Sequence, residues 1–203
     1  VVTTLKQEDM DSLLREPSIN AVVPEVRGQA TIVYGNNSAN VSYEGTTDNF
    51  FSVRNLPVGK GFTFTKSDVD SLNHVIVIGQ GLAKTLFGSS VDPINKIVRL
   101  KNSSFKVVGV LSKGGTGAFG VDQDNLVIMP LTVAQKQLLG IAYFGNLVIE
   151  ANEKYDVNFV RSRIVFNLRQ NHGVSDPNKD DFTIRTQEDA LLLLGNVTSI
   201  LTL

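Results

Sequence analysis

The sequence contains no cysteine, no tryptophan and only two histidines among its 203 residues. Without cysteine, the chain cannot form a disulfide, use a thiol nucleophile or bind zinc through sulfur. Aromatic residues make up 7% and the net charge is −1, so neither base-stacking platforms nor a basic surface for nucleic acid or anionic lipid is expected. The composition therefore leaves an ordinary globular protein, long enough for one large domain or two small ones.

Long apolar runs are also missing. No segment reaches the roughly 18 uninterrupted apolar residues that a membrane-spanning helix needs. The chain starts at Val1 instead of Met and has no signal-peptide pattern, so we interpret it as a piece of a longer protein. Residues 187–203 have a helical pattern that is more apolar than a surface helix requires. Either a core helix or a helix that continues into a membrane would explain this segment.

Hydrophobic periodicity predicts a mixed chain of helices and strands. Helices are predicted at 4–15, 46–53 with Thr47 or Asp48 as N-cap, 82–87, 132–139 with Thr132 as N-cap, and 157–170 with Asp156 as N-cap. Strands are predicted at 21–34, 41–45, 75–78, 96–100, 105–111, 126–129 and 147–150, and around Phe182 and Ile184. Residues 35–38 are typical of a hairpin turn, and the four glycines in 114–120 predict a mobile loop.

One glycine motif resembles a nucleotide-binding turn. Gly79 and Gly81 follow a short strand and precede a helix, where glycines let a backbone approach a pyrophosphate. The third small position is occupied by Lys84, and the acidic residue expected about 20 positions later is missing. We therefore interpret the motif as a tight strand-to-helix turn.

The titratable residues form no recognisable set either. His74 and His172 are far apart, and His172 falls just past a predicted helix end, where its charge favours the helix dipole. Asp122 and Asp124 lack the glycine and distal glutamate of a calcium loop. Asp180 and Asp181 precede a predicted strand and are interpreted as solvated turn residues.

Neither a phosphate-binding Walker run nor a Gly-x-Ser-x-Gly nucleophile motif is present. The sequence therefore predicts no catalytic, cofactor-binding or metal-binding residue. The chain is not predicted to be an enzyme.

Seven stretches nevertheless carry a family resemblance. They are 45–53 (GTTDNFFSV), 61–64 followed by Asp68, 75–79 (VIVIG) followed by Ala83 and 86–88, 92–96 (DPINK), 105–111 (FKVVGVL), 129–132 (MPLT) and 181–188 (DFTIRTQE). In this order they resemble the periplasmic core domain of MacB-type ABC transporter permeases, and together they cover nearly the whole chain. Two positions depart from the family: Phe62 follows Gly61 where Arg is frequent, and Asn95 replaces a glycine. Asparagine tolerates positive φ, so that turn can survive.

The resemblance implies an α+β fold: a Porter-like subdomain of βαβ units with an inserted β-rich, Sabre-like subdomain. The predicted segments are 1–57 and 143–203 for the Porter-like part and 58–142 for the Sabre-like part. It also implies a membrane helix before this domain and three after it. The domain would then lie on the periplasmic side of the bacterial inner membrane.

The function implied by the resemblance is mechanical. An ATP-binding domain on the cytoplasmic side would drive the motion, and this domain would pass it to efflux of a drug, peptide or toxin. Its expected partners are a membrane fusion (adaptor) protein and a second permease copy, while the isolated chain is expected to be a monomer. A lipoprotein-releasing permease of the LolC/LolE type, or an FtsX-like domain that regulates a cell-wall hydrolase, stays open as an alternative.

Overall fold

A computed structural model describes residues 3–113 and 122–186. The helices are α1 (Gln7–Leu14), α2 (Phe50–Val53), α3 (Lys66–Asp70), α4 (Gln80–Phe87), α5 (Leu131–Val133), which continues as a π-helix (Ala134–Leu139), and α6 (Val157–His172). The strands are β1 (Ile19–Tyr34), β2 (Asn37–Thr46), β3 (Val58–Gly61), β4 (Val75–Ile78), β5 (Ile97–Leu100), β6 (Ser103–Leu111), β7 (Leu126–Pro130) and β8 (Asn146–Ala151). Short 3-10 turns lie at Gln123–Asn125 and Pro177–Lys179. The predicted α+β class is confirmed.

Strand β1 changes partners along its length. Its first part, up to Glu25, pairs antiparallel with β8. From Glu25 onward it pairs with β2, and near its end Ile32 and Val33 also pair with β5. Glu25 lies opposite both Thr46 of β2 and Asn146 of β8, so it marks the point where β1 passes from one partner to the next.

Six strands form a closed ring. Neighbouring strands follow the order β2, β7, β4, β6, β5 and β1, and the pairing of β1 with β2 returns the path to its start. Strand β8 continues the sheet from β1, and β3 pairs with the end of β6. Because the ring strands pair on both sides, few backbone N–H and C=O groups are left at open edges.

Residues from all three predicted segments contribute to this sheet, because β1 pairs with β5 and β8, and β2 pairs with β7. The division at 57 and 142 therefore stays a prediction.

The core lies within the ring and under its helices. The largest side chains that are almost completely buried are Tyr43, Phe64, Phe105, Leu13, Ile32, Ile76, Ile78, Leu82, Leu86, Leu100, Ile128 and Met129. Gly28 of β1 lies opposite Tyr43, and a Cβ atom added there would lie 2.2 Å from the tyrosine hydroxyl. Glycine at this position therefore makes room for the largest buried ring.

Local signals account for most helix and turn boundaries. Asp156 caps α6 as predicted, because its Oδ1 accepts hydrogen bonds from the backbone N–H groups of Asn158 and Phe159. Gly140 ends the π-helix with a φ of 63°. Asn95 has a φ of 66°, as its replacement of glycine predicted.

Three local predictions are wrong. Helix α2 begins after Asn49, so neither Thr47 nor Asp48 is its N-cap. Thr132 lies inside α5 and donates its hydroxyl hydrogen to the carbonyl of Val69 instead of capping a helix. The six residues 181–186 contain no strand, so no strand forms at Phe182 and Ile184. The predicted loop at 114–120 and the whole apolar segment 187–203 lie outside the described residues.

Candidate functional site

The predicted glycine turn lies at the N-terminus of α4, and neighbouring backbone closes it. A Cβ added to Gly79 would lie 2.0 Å from the carbonyl oxygen of Gln123 and 2.5 Å from that of Asp124. These carbonyls stand where a phosphate would have to approach the helix, and they would repel it. The geometry therefore supports a packed strand-to-helix turn.

His74 and Asp122, two further residues considered from the sequence, have hydrogen-bond partners close to them in the structure. His74 stacks on Phe105 with ring centroids 4.9 Å apart, and its Nδ1 lies 3.0 Å from the carbonyl oxygen of Ser104. Asp122 accepts hydrogen bonds from the Asp124 backbone N–H and the Asn125 side chain. These contacts fix the ends of strands and of a short 3-10 turn.

A buried charged cluster lies where β1 changes partners; we call it the junction cluster. Its centre is Glu25, whose side chain is 1% exposed. The Arg54 guanidinium, at the end of α2, donates three hydrogen bonds of 2.6–3.0 Å to the two Glu25 oxygens. Asn146 of β8 donates a further one of 3.2 Å. One carboxylate thus connects β1, β8 and α2.

Glu44 of β2 completes the junction cluster. It lies opposite Arg27 of β1, whose Nε donates to both Glu44 oxygens at 3.2 Å. Burial and the nearby negative charge of Glu25 raise the pKa of Glu44 to about 8, although Arg27 acts in the opposite direction. Glu44 therefore holds its proton more tightly than an exposed glutamate does.

A second charged cluster joins the first and last helices of the described chain; we call it the helix clasp. Glu16, just after α1, accepts hydrogen bonds from Arg163 and Asn167 of α6, with N–O distances of 2.8–3.2 Å. The hydrogen bond from Arg163 holds the pKa of Glu16 below its ordinary value, against a smaller effect of burial. The charges stabilise each other across a sequence separation of about 150 residues.

The clasp continues at the C-terminal end of α6. Asp180 receives two hydrogen bonds from Arg169, at 2.8 and 2.7 Å. His172 is the last residue of α6, not a residue beyond it, and its ring lies between Asp9 of α1 and Asp181. The prediction that Asp180 and Asp181 are only solvated turn residues is therefore wrong.

Sequence reasoning did not find either cluster, because their members come from distant parts of the chain. The arginines among the apolar residues of α6 are the one signal that points to the clasp, and they do not name its acidic partners. Nothing in the sequence around Glu25 distinguishes it from a surface glutamate. Strand alternation alone does not show where a strand changes partners.

Neither cluster has the composition of a metal or membrane site. Across 3–113 and 122–186, no group of three or more His, Cys, Asp or Glu side chains could hold a metal ion. Over the same ranges, no helix is both long and apolar enough to cross a membrane. What the clusters do is hold helices and strands together through charge.

Sequence comparison identifies the class of domain to which this arrangement belongs. Residues 2–165 match the family model described as the MacB-like periplasmic core domain. The chain belongs to this family. The match ends within α6, so the C-terminal part of the helix clasp lies beyond it, at Arg169, His172 and Asp180.

Curated relatives agree over the full chain. It is 31% identical over 210 residues to the macrolide export ATP-binding/permease protein MacB of Wolinella succinogenes, covering 98% of this chain and 32% of that protein. It is 29% identical over 202 residues to the protein of the same name from Pectobacterium atrosepticum, covering 100% of this chain and 30% of that protein. The chain thus spans about a third of the length of these relatives.

Solved structures share the fold. The periplasmic region of MacB from Actinobacillus actinomycetemcomitans superposes with a TM-score of 0.82 at 23% identity, covering 96% of this chain and 85% of that one. The extracellular domain of the ABC-type transporter YknZ from Gram-positive bacteria gives a TM-score of 0.71 at 22% identity, covering 84% and 86%. The fold thus occurs both in the periplasmic region of a MacB protein and in the extracellular domain of a transporter from Gram-positive bacteria.

Proposed function

We propose that this chain is the extracytoplasmic domain of an ABC transporter permease that passes ATP-driven motion to the export of a drug, peptide or toxin. ATP is hydrolysed by a separate domain on the cytoplasmic side, and this domain performs no covalent chemistry and uses no cofactor. An adaptor protein and a second permease copy are its partners. Family membership and the names of the curated relatives, which join an ATP-binding part to a permease, support this assignment.

The observation that carries the proposal is the helix clasp. A domain that transmits motion needs its first and last elements to move as one body, so that a displacement at one reaches the other. Glu16 and Arg163 meet this requirement, because they join α1 to α6 through an ion pair with two hydrogen bonds. The closed strand ring is then the stiff body that those two helices move.

The two proposed parts of the domain have different roles. In this scheme 1–57 and 143–203 form the Porter-like part that receives the motion, and 58–142 forms the Sabre-like part that carries it away from the membrane. Glu25 lies at the connection between β8 of the former and β2, which pairs with β7 of the latter. The junction cluster is accordingly the place where motion passes between the two parts.

A chimaera tests the proposal. The matching stretch of the Wolinella succinogenes relative is replaced by this chain, and macrolide export and ATP hydrolysis are measured in cells that supply the adaptor. We expect the chimaera to export macrolide, and the Arg163→Gln chimaera to keep ATP hydrolysis while exporting less than its parent. Removing this ion pair weakens the coupling of the two activities, because α1 and α6 are then held together by fewer contacts.

Lys66→Gln is the matched control, since it breaks an exposed ion pair with Asp70 far from the clasp and should leave export unchanged. Equal export by the Arg163→Gln chimaera and its parent would show that the clasp transmits nothing. Tight ATP binding by the isolated chain in calorimetry would contradict the assignment of hydrolysis to a separate domain.

A further inference from the structure

His172 has an unusual pair of neighbours. Its Nδ1 lies 2.7 Å from Oδ1 of Asp181, and its Nε2 lies 3.0 Å from both carboxylate oxygens of Asp9. The histidine side chain is 8% exposed and that of Asp9 is 2% exposed. Each ring nitrogen thus faces a carboxylate, one from α1 and one from the segment that follows α6.

Only the protonated ring can make both contacts. A neutral imidazole has one N–H donor and one bare nitrogen, whose lone pair would face a carboxylate oxygen and repel it. An imidazolium donates from both nitrogens and carries the positive charge that two carboxylates need. The ring also stands at the C-terminus of α6, where the helix dipole favours a cation.

Among the described residues, the other groups that bond Asp9 are neutral donors. Asp9 is otherwise held by the Lys6 backbone N–H and by the Asn171 side chain, and Asn171 also bonds the Ser12 hydroxyl. On α6 itself, the guanidinium of Arg169 is engaged by Asp180. Burial of His172 favours its neutral form, but the hydrogen bonds and charges of Asp9 and Asp181 outweigh burial and raise its pKa above the ordinary 6.5.

We propose that His172 is a proton-dependent lock that ties α1 and the segment around Asp181 to the end of α6. The lock is closed while the ring is protonated and opens when the ring loses its proton, because one of the two carboxylate contacts must then break. It belongs to this domain whether or not the domain takes part in transport.

The sign of the pH dependence follows from linkage. A histidine whose pKa is higher in the folded state contributes stability that is fully present below 6.5. That stability is lost as pH rises through the folded-state pKa. Asp181 behaves in the opposite sense: burial acts to raise its pKa, but the contact with His172 helps to lower it overall, so its contribution is lost only in acid. The lock is therefore strongest in mildly acidic solution and weakens on the alkaline side.

Two measurements on the 203-residue chain test the lock. The chain has only two histidines, so proton NMR can follow the titration of each ring separately. Hydrogen exchange of the α1 amides, divided by the intrinsic rate at each pH, reports whether α1 is released. We expect His172 to titrate above 6.5, and α1 protection to fall about tenfold between pH 6 and pH 9, as for the loss of one charge-assisted contact.

His172→Gln and Asp181→Asn should both remove this pH dependence of α1 protection. The Asp181 side chain is 34% exposed, so Asp181→Asn keeps the fold testable if the buried substitution does not fold. His74→Gln is the matched control and should leave the α1 profile unchanged. A His172 titration at or below 6.5, or α1 protection that does not change with pH in the parent chain, would overturn the lock.

Discussion

The strand ring and the helix clasp hold the molecule together in different ways. In the ring, every strand pairs through its backbone on both sides, and the enclosed side chains are apolar. Between α1 and α6, part of the connection is made by the ion pairs of Glu16 with Arg163 and of Asp9 with His172. Backbone pairing around a closed path is insensitive to pH and salt, whereas ion pairs respond to both. The strand ring is therefore a stiff body, whereas the connection between α1 and α6 changes with pH and salt.

The junction cluster belongs to neither type. It is buried like the core of the ring, but it is charged like the clasp, and its central residue Glu25 is shared by β1, β8 and α2. A buried charge pair adds little net stability compared with an apolar pair, but it is strongly disrupted when one partner is removed. Such a cluster fixes where β1 changes partners more than it strengthens the fold.

The largest expected effects come from matched leucine truncations in the two regions. Leu100 of β5 is 0% exposed and Leu168 of α6 is 4% exposed, so Leu100→Ala and Leu168→Ala delete the same atoms from two buried places. Each should lower the free energy of unfolding by about 2–5 kcal/mol, through lost burial and a residual cavity. Urea denaturation measures this loss.

Hydrogen exchange should separate the two variants. Leu100→Ala is expected to accelerate exchange throughout the ring and the helices, because loss of the ring unfolds everything attached to it. Leu168→Ala should accelerate exchange mainly in α1 and α6, because these helices can open locally. If both variants accelerate every protected amide equally, the molecule unfolds as one unit and the distinction between the two regions is wrong.

Most strands and helices of this fold could be predicted from local sequence, although β3 and α3 were missed, and neither charged cluster could be predicted. The β-branched residues of β1 and the Asp156 cap of α6 act over a few residues, so they are visible in the sequence. The contact between Asp9 and His172 joins positions 163 residues apart, and a single sequence carries no signal for such a pair. The π-helix after α5 was missed because its pattern differs little from that of an ordinary helix.

The family resemblance supplied what local patterns could not. Seven weak motifs in the right order predicted the family, and the match over 2–165 confirmed it. The motifs did not predict that Glu25 and Glu44 are buried, because neither residue lies within one of the seven stretches. Buried charge is decided by tertiary packing, which places polar groups against each other after the strands have paired.

Glu44→Gln should remove an unfavourable pH dependence from the junction cluster. The pKa of Glu44 is about 8 in the folded chain and about 4.5 when it is exposed, so the folded state binds more protons between these values. The free energy of unfolding of the parent chain should therefore fall as pH rises through this window, by up to about 1.4 kcal/mol per pH unit. Urea denaturation at several pH values between 5 and 8.5 measures the slope.

The difference between parent and variant isolates this effect, because His172 gives a slope of the same sign in both proteins. Glu153→Gln, at an exposed turn before α6, is the control for loss of a carboxylate and should leave the slope unchanged. Equal slopes in the parent and in Glu44→Gln would mean that Glu44 is ionised in the folded chain, and that the junction cluster carries no bound proton at neutral pH.

Glu16→Gln should have the smallest effect, and one confined to the clasp. Its carboxylate is 13% exposed and its partner Arg163 is 36% exposed, so water screens much of the attraction. We expect exchange of the α1 and α6 amides to become about threefold faster at pH 7, with the ring unaffected.

The pKa of Glu16 is lowered by Arg163, so the stability that this ion pair contributes is present above pH 4.5 and lost as pH falls through the lower folded-state pKa. Parent and variant should therefore converge in acid, where Glu16 is protonated, and Asp70→Asn, in an exposed pair, should show no change in these helices. Faster exchange in the ring of Glu16→Gln would show that the clasp supports the stiff body and is not merely attached to it.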